Sequence, residues 1–178
     1  FSNLKASFFS ELIESGRLNI HYVDHPTEDL IYLIKRLHKS SEIGAVFIDY
    51  IQLLDLKHNR TNSRQEEVKQ ICIELKKCAV DTGLPLILGA QFNRTVKTIE
   101  DIHPTAIGEA GDIERIAGLI VGFWNRTHEK IEDKSLLKSE IYATILKGRD
   151  IPIGAEESFD WNGNHGKISN KSQARSMF

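Results

Sequence analysis

Only two cysteines, Cys72 and Cys78, occur among the 178 residues, six positions apart within one helical pattern. That spacing turns them to different faces of a helix and suggests neither a disulfide nor a CxxC metal pair. No apolar run approaches the roughly eighteen residues that would indicate a membrane span. The first ten residues lack the basic start and apolar centre of a secretory signal. Neither sign of charge dominates: 23 Lys plus Arg against 25 Asp plus Glu leave −2, so any contact with nucleic acid must come from a local patch. There is no internal repeat, and the seven histidines show no paired-ligand spacing. The expectation is a cytoplasmic protein in a reducing compartment, where the Asn-Arg-Thr triplets at Asn59, Asn93 and Asn125 have no route to glycosylation.

What is present is a 40% hydrophobic chain, long enough for one core, that alternates short β-branched runs with helical periodicity. This pattern predicts an α/β fold with a mostly parallel sheet flanked by helices. A helix tail at Phe8–Ser15 is stopped by Gly16, and Leu18–Val23 reads as a strand leading to the turn Asp24-His25-Pro26. Thr27 is an expected N-cap for a helix carrying Leu30, Leu33, Ile34 and Leu37 as far as about Lys39. Ala45–Ile48, ending at Asp49, suits a strand buried on both faces. After the polar loop Asp55–Asn62, Ser63 and Glu66 form a capping-box signature for a helix that turns Val68, Ile71, Cys72, Leu75 and Ala79 inward and ends at Gly83.

Leu84–Ala90 reads as another buried strand and Gln91–His103 as loop. A short helix around Asp112–Ile116 feeds a strand at Gly118–Trp124, and the lysine-rich stretch His128–Lys138 reads as an exposed excursion. Ile141–Leu146 and Glu156–Trp161 form an antiparallel hairpin with Lys147–Gly154 at its tip. Residues 1–163 are taken as one domain and 164–178 as a polar tail, frayed over Ser169–Phe178.

Three places carry candidate chemistry. Asp49 ends a strand expected to be buried, where a carboxylate needs a cation or hydrogen-bond donors to stay ionised; a strand-end Asp capping the following turn is the plainer alternative. Gln91 ends the next strand, so both side chains fall on the carboxyl edge of a parallel pair, where α/β sheets bind ligands. A neutral amide there can sense a phosphate or position a water, although a Gln opening a loop needs no such role. Lys147-Gly148-Arg149 puts two cations on a turn, and arginine's planar fork suits phosphate, including one held by a neighbouring subunit; most exposed basic pairs are simply solvated. Weaker signals are the basic cluster Lys57, His58, Arg60 and Arg64, and the strand-end Trp124 and Trp161, which suit core or rim better than base stacking.

In this order, over roughly residues 16–163, the segments resemble the motor domain of DnaB-type replicative helicases. Ala45-Val46-Phe47-Ile48-Asp49-Tyr50-Ile51-Gln52-Leu53 is similar to that family's Walker B segment. Arg64-Gln65-Glu66-Glu67-Val68 is similar to its following helix, and Ala90-Gln91-Phe92-Asn93-Arg94 to its sensor motif. Glu109-Ala110-Gly111-Asp112-Ile113-Glu114 resembles its single-strand-binding loop, and Lys147-Gly148-Arg149-Asp150-Ile151-Pro152-Ile153-Gly154 its trans-acting hairpin.

The resemblance implies a RecA-like P-loop NTPase core using ATP and Mg2+, with Asp49 on the metal and Gln91 as nucleotide sensor. Lys147 and Arg149 would reach a neighbour's nucleotide, and Arg94, Gly108, Glu109 and Gly111 would lie along single-stranded DNA. It also implies a hexameric ring moving 5'-3' on single-stranded DNA, with primase or a helicase loader as partner.

Two departures qualify this. Gly108 stands where many family members carry arginine, and no GxxxxGK[ST] loop occurs, so that loop and the family's catalytic glutamate would precede residue 1 in the family order. The 178 residues alone are therefore expected to bind ATP weakly and hydrolyse essentially none. The loop's strand is central in such sheets, so Leu84–Ala90 should have an open edge, closed by Gly118–Trp124 or by another copy of the chain. The rivals are a RecA-type recombinase or other non-unwinding ATPase, disfavoured by the Asp-Tyr-Ile-Gln-Leu and Gly-Asp-Ile-Glu segments, and a non-catalytic assembly module.

Overall fold

The computed structural model describes residues 10–22, 26–40, 43–57, 63–108, 111–126 and 140–171. The His128–Lys138 excursion, most of the 55–62 loop and residues 172–178 of the tail lie outside these. Helix α1, Thr27–Ser40, carries acids in its first turn and His38 and Lys39 in its last, matching the helix dipole at both ends. Thr27 does not cap it from outside as expected. It is the first helical residue, fully buried, and both its N–H (2.9 Å) and its hydroxyl (2.7 Å) donate to the Asp55 carbonyl.

Helix α2, Arg64–Thr82, has the boundaries its local chemistry predicts. The Ser63 hydroxyl accepts from the Glu66 N–H at 3.2 Å, and Gly83 closes the helix at φ 70°, a left-handed turn that glycine takes without a Cβ clash. Its buried face is Val68, Ile71, Cys72, Leu75 and Cys78, with Cys78 in the place expected of Ala79. They pack with Leu30 and Ile34 of α1 and with Ile48, Ile51, Leu54 and Leu84; each such side chain contributes about 1.5–3 kcal/mol by leaving water. The two cysteines do face different ways. Cys78 lies toward the Lys35–Asp81 ion pair (2.9 Å) that joins α1 to α2, and Cys72 toward Asp112 of helix α3, Gly111–Ile116. Both are buried because α2 runs between its two neighbours.

Strands β1 (Val46–Ile48) and β2 (Leu86–Leu88) pair in parallel, Phe47 opposite Ile87, with α2 as the crossover. The pair is covered on one face only. Ile48 is buried, but Phe47 is 76% and Ile87 44% exposed, so the expectation of burial on both faces fails: the helices described cover a single side. Leu18–Val23 is not a strand among the described residues. Residues 18–22 form no strand pairing with other described residues, Ile20 and Tyr22 are exposed, and alternation without a partner strand makes no ladder.

The second sheet is antiparallel, in the order β3 (Ile120–Asn125), β4 (Glu140–Lys147), β5 (Glu156–Asn162), β6 (Lys167–Asn170). The predicted hairpin is thus its centre, extended by β3 on one side and β6 on the other. β3 does not close the open edge of β2, because its hydrogen bonds run to β4 from Asn125↔Ile141 to Ile120↔Lys147. Residues 167–170, placed by sequence in the tail, pair with β5 through Trp161↔Ile168. Trp124 and Trp161 sit half-buried in this sheet. A second small core, Ile107 and Ile120 with Phe92, Ile113, Ala117 and Leu146, joins the sheet to α3 and the loop after β2.

Candidate nucleotide and DNA site

Asp49 and Gln91 stand beyond the carboxyl ends of adjacent parallel strands, as their positions in the sequence predict. Backbone bonds lace these ends together: the Gly89 N–H donates to Ile48 (2.9 Å) and the Ile51 N–H to Gly89 (2.9 Å). Gly89 lets the strands close up, since a Cβ there would sit 3.3 Å from both Asp49 Oδ1 and Tyr50 Cβ. Asp49 is exposed rather than buried as expected, so water can reach its carboxylate. One solvated strand-end carboxylate fits Mg2+, which keeps most of its waters and is held through one or two carboxylates plus substrate phosphates. Among the described residues no group of three or more His, Cys, Asp or Glu forms a metal cluster.

Gln52, a residue to which sequence reasoning gave no role, binds the segment at Gln91. It lies in a 3₁₀ turn, Ile51–Leu53, anchored by the buried Ile51. Its amide accepts from the Gln91 N–H (3.3 Å) and donates to the carbonyls of Gln91 (3.2 Å) and Gly108 (3.5 Å). The Gly108 N–H also donates to the Gln91 carbonyl at 3.0 Å, next to the bridge Phe92↔Ile107. A Cβ on Gly108 would lie 3.2 Å from Asn93 Oδ1, so glycine suits this crowded spot sterically. The sequence offered Gln52 only as part of the Asp-Tyr-Ile-Gln-Leu segment, with no role of its own.

The remaining expected residues fall around this centre. Arg94 is exposed in the turn after Gln91, Gly111 opens α3, and Glu109 lies outside the described residues. Of the basic cluster, Lys57 pairs loosely with Asp29 (3.9 Å) and donates its N–H to Glu28. Arg64 is committed to protein, donating to Glu67 (2.6 Å) and to the carbonyls of Leu54 (2.7 Å) and Gln52 (3.0 Å); His58 and Arg60 lie outside the described residues.

Lys147 and Arg149 make no hydrogen bond or ion pair with Asp49 or Gln91 among the described residues. The Lys147 ammonium donates to the Glu114 and Arg115 carbonyls at the carboxyl end of α3, a favourable place for a cation. Arg149 is exposed, two residues farther along the tip, where Gly148 packs against Ile151. A cleft lined by Ile99, Glu100, Arg126, Tyr142 and Glu156 lies toward the other end of β4 and includes none of the expected site residues.

The chain is 32% identical over 122 residues to the replicative DNA helicase DnaC of Bacillus subtilis, covering 67% of this chain and 26% of that one. It is 34% identical over 139 residues to the replicative DNA helicase DnaB of Helicobacter pylori strain J99 (76% and 28%), and 30% over 159 residues to that of Mycoplasma genitalium (82% and 34%). It thus spans about a third or less of the length of these relatives. Among solved structures it superposes on a separately solved ATPase domain with a TM-score of 0.71 at 22% identity, covering 83% of this chain and 52% of that one. A DnaB-like replicative helicase described with its interactions with primase gives 0.70 at 24% (83% and 35%). The fold is that of RecA-like helicase ATPase domains. The model of the DnaB-like helicase C terminal domain matches residues 7–170, and the chain belongs to that family.

Proposed function

We propose that this chain is the nucleotide-reading and DNA-tracking part of an ATP-dependent replicative DNA helicase that moves 5'-3' on single-stranded DNA as a homohexameric ring. The observation that carries the reading is the hydrogen bond from Gly108 to the Gln91 carbonyl, which fastens the segment leading into the expected DNA loop to the strand end beside Asp49. A motor needs such a physical link between the site where phosphate is lost and the surface that grips DNA.

In this reading Asp49 holds Mg2+, which when bound neutralises charge on the triphosphate. Gln91 senses the terminal phosphate from the next strand. Arg149, exposed on its tip, reaches the nucleotide of the adjacent protomer together with Lys147. Arg94, Gly108, Glu109 and Gly111 lie along the DNA backbone, where small residues and backbone N–H groups suit phosphate contacts. A cytoplasmic setting and a primase or loader partner accompany the proposal.

The test is ATP hydrolysis by the native protein with and without single-stranded DNA, followed by strand displacement from a forked duplex. DNA-stimulated hydrolysis and unwinding are expected, both abolished by Asp49→Ala. Robust DNA-stimulated hydrolysis with no displacement would instead identify a non-unwinding ATPase. The 178 residues alone should hydrolyse essentially no ATP.

A further inference from the structure

The Gln52 amide occupies the position of a neighbouring strand's peptide group beside Gln91. It offers an oxygen to the Gln91 N–H and an N–H to the Gln91 carbonyl, and its second N–H points to the Gly108 carbonyl. Two carbonyl acceptors and one N–H donor dictate the orientation of the amide. The stem is fixed at its base: Arg64 grips the Gln52 carbonyl at 3.0 Å, and Ile51 is buried against α2 and bonded to Gly89. One side chain anchored just past β1 therefore holds the backbone just past β2 and the backbone entering the 108–111 segment. The bonds are 3.2–3.5 Å long and partly open to water, so they are individually weak and can be remade as the segments shift.

We infer that Gln52 is a positioning residue that couples occupancy of the nucleotide edge to occupancy of the DNA segment, by clamping Gln91 and Gly108 to each other through its amide. The inference rests on the helicase reading. Gln52 touches neither nucleotide nor DNA in this role; it transmits a displacement of Gln91 to Gly108 and the reverse. Coupling of this kind is reciprocal, so nucleotide must change DNA affinity by the factor by which DNA changes nucleotide affinity.

That factor is the quantity to measure, because a merely structural residue would alter both affinities without altering their ratio. Binding of a fluorescent oligo-dT to the native protein is titrated with and without a non-hydrolysable ATP analogue. The natural sequence is expected to show a nucleotide-dependent change in DNA affinity of about tenfold. Gln52→Ala should reduce that ratio to within about twofold of unity, and Gln52→Glu, which keeps the acceptor but loses both donors, should do the same. If Gln52→Ala does not fold, Gln52→Met, similar in length but with no N–H donor and only a weak sulfur acceptor, is measured in its place. A ratio retained in full by these variants, or binding by the natural protein that ignores nucleotide, would overturn the inference alone. Failure of the natural protein to bind single-stranded DNA in either state would overturn the helicase reading together with it.

Discussion

The Arg64 guanidinium donates to the Glu67 carboxylate across 2.6 Å, one turn along α2, where Glu67 is 5% exposed. The same guanidinium reaches the Leu54 and Gln52 carbonyls, and the other Glu67 oxygen accepts from the Leu56 N–H at 3.2 Å. A residue that in isolation reads as a phosphate contact is thus the clasp between α2 and the segment leaving β1. Removing it strands a buried carboxylate. Arg64→Ala is expected to lower stability by about 3 kcal/mol, against about 0.3–0.5 for an exposed pair of the same spacing. A urea titration decides; a loss below about 1 kcal/mol would show that Glu67 is solvated.

Gly122 in β3 is packed where no side chain fits. A Cβ would lie 2.8 Å from Ile102 Cγ2 and 2.9 Å from Leu146 Cδ1, and Ile102 is buried and stiff at its branched carbon. Gly122→Ala should cost about 1–3 kcal/mol through overpacking. Gly118, with open space around it, serves as the control, and its alanine variant should lie within about 0.5 kcal/mol of the natural chain in the same melt.

The two cations of the hairpin tip should separate by the property they control. Lys147→Met removes the ammonium from the end of α3 and should lower stability by about 0.5–1 kcal/mol, with faster amide exchange in residues 111–117. Arg149→Ala should leave the melting curve unchanged, because the side chain is exposed. If the ring proposal holds, the same change lowers hydrolysis by about a thousandfold or more, and Arg149→Ala protomers carrying an intact Asp49 are rescued by mixing with natural protomers. Hydrolysis unaffected by the change would remove Arg149 from the mechanism.

Burial pushes the Cys72 thiol up to about 11 from 9.0, with Asp112 adding to the shift. A group whose folded value is raised contributes stability that is complete below its unfolded value and is lost as pH climbs through the folded one. Stability should therefore fall between about pH 9 and pH 11, more steeply in the natural chain than in Cys72→Ala, and a thiol reagent at about pH 8 should modify Cys72 only on unfolding. Parallel alkaline limbs for the two proteins would contradict the assignment.

The parts of this molecule that were legible in its sequence are those determined locally. Ser63 and Gly83 mark the ends of α2 because a cap hydroxyl and a left-handed glycine act within one turn. Asp49 and Gln91 could be placed on one edge because each ends an apolar run, and successive parallel strands put their ends together. What was hidden depends on distant partners. Residues 18–22 alternate like a strand but have none to pair with among the described residues, and β3 is apolar enough for either sheet, its membership decided by pairing with β4. Gln52 was legible as part of the Asp-Tyr-Ile-Gln-Leu segment, but its role was not, because its partners are backbone groups, which carry no sequence signature.

The two sheets also imply an order of events as the chain folds. Strands β4, β5 and β6 are successive antiparallel neighbours joined by short turns, whereas β1 reaches β2 only across the whole of α2. Closing a short turn costs less chain entropy than closing a crossover of that length, so local pairings form early and parallel ones late. In pulsed hydrogen exchange during refolding, the β4 and β5 amides are expected to gain protection before those of Gly89 and Ile51. The hairpin bearing Arg149 would then be in place while the edge carrying Asp49 and Gln91 is still assembling.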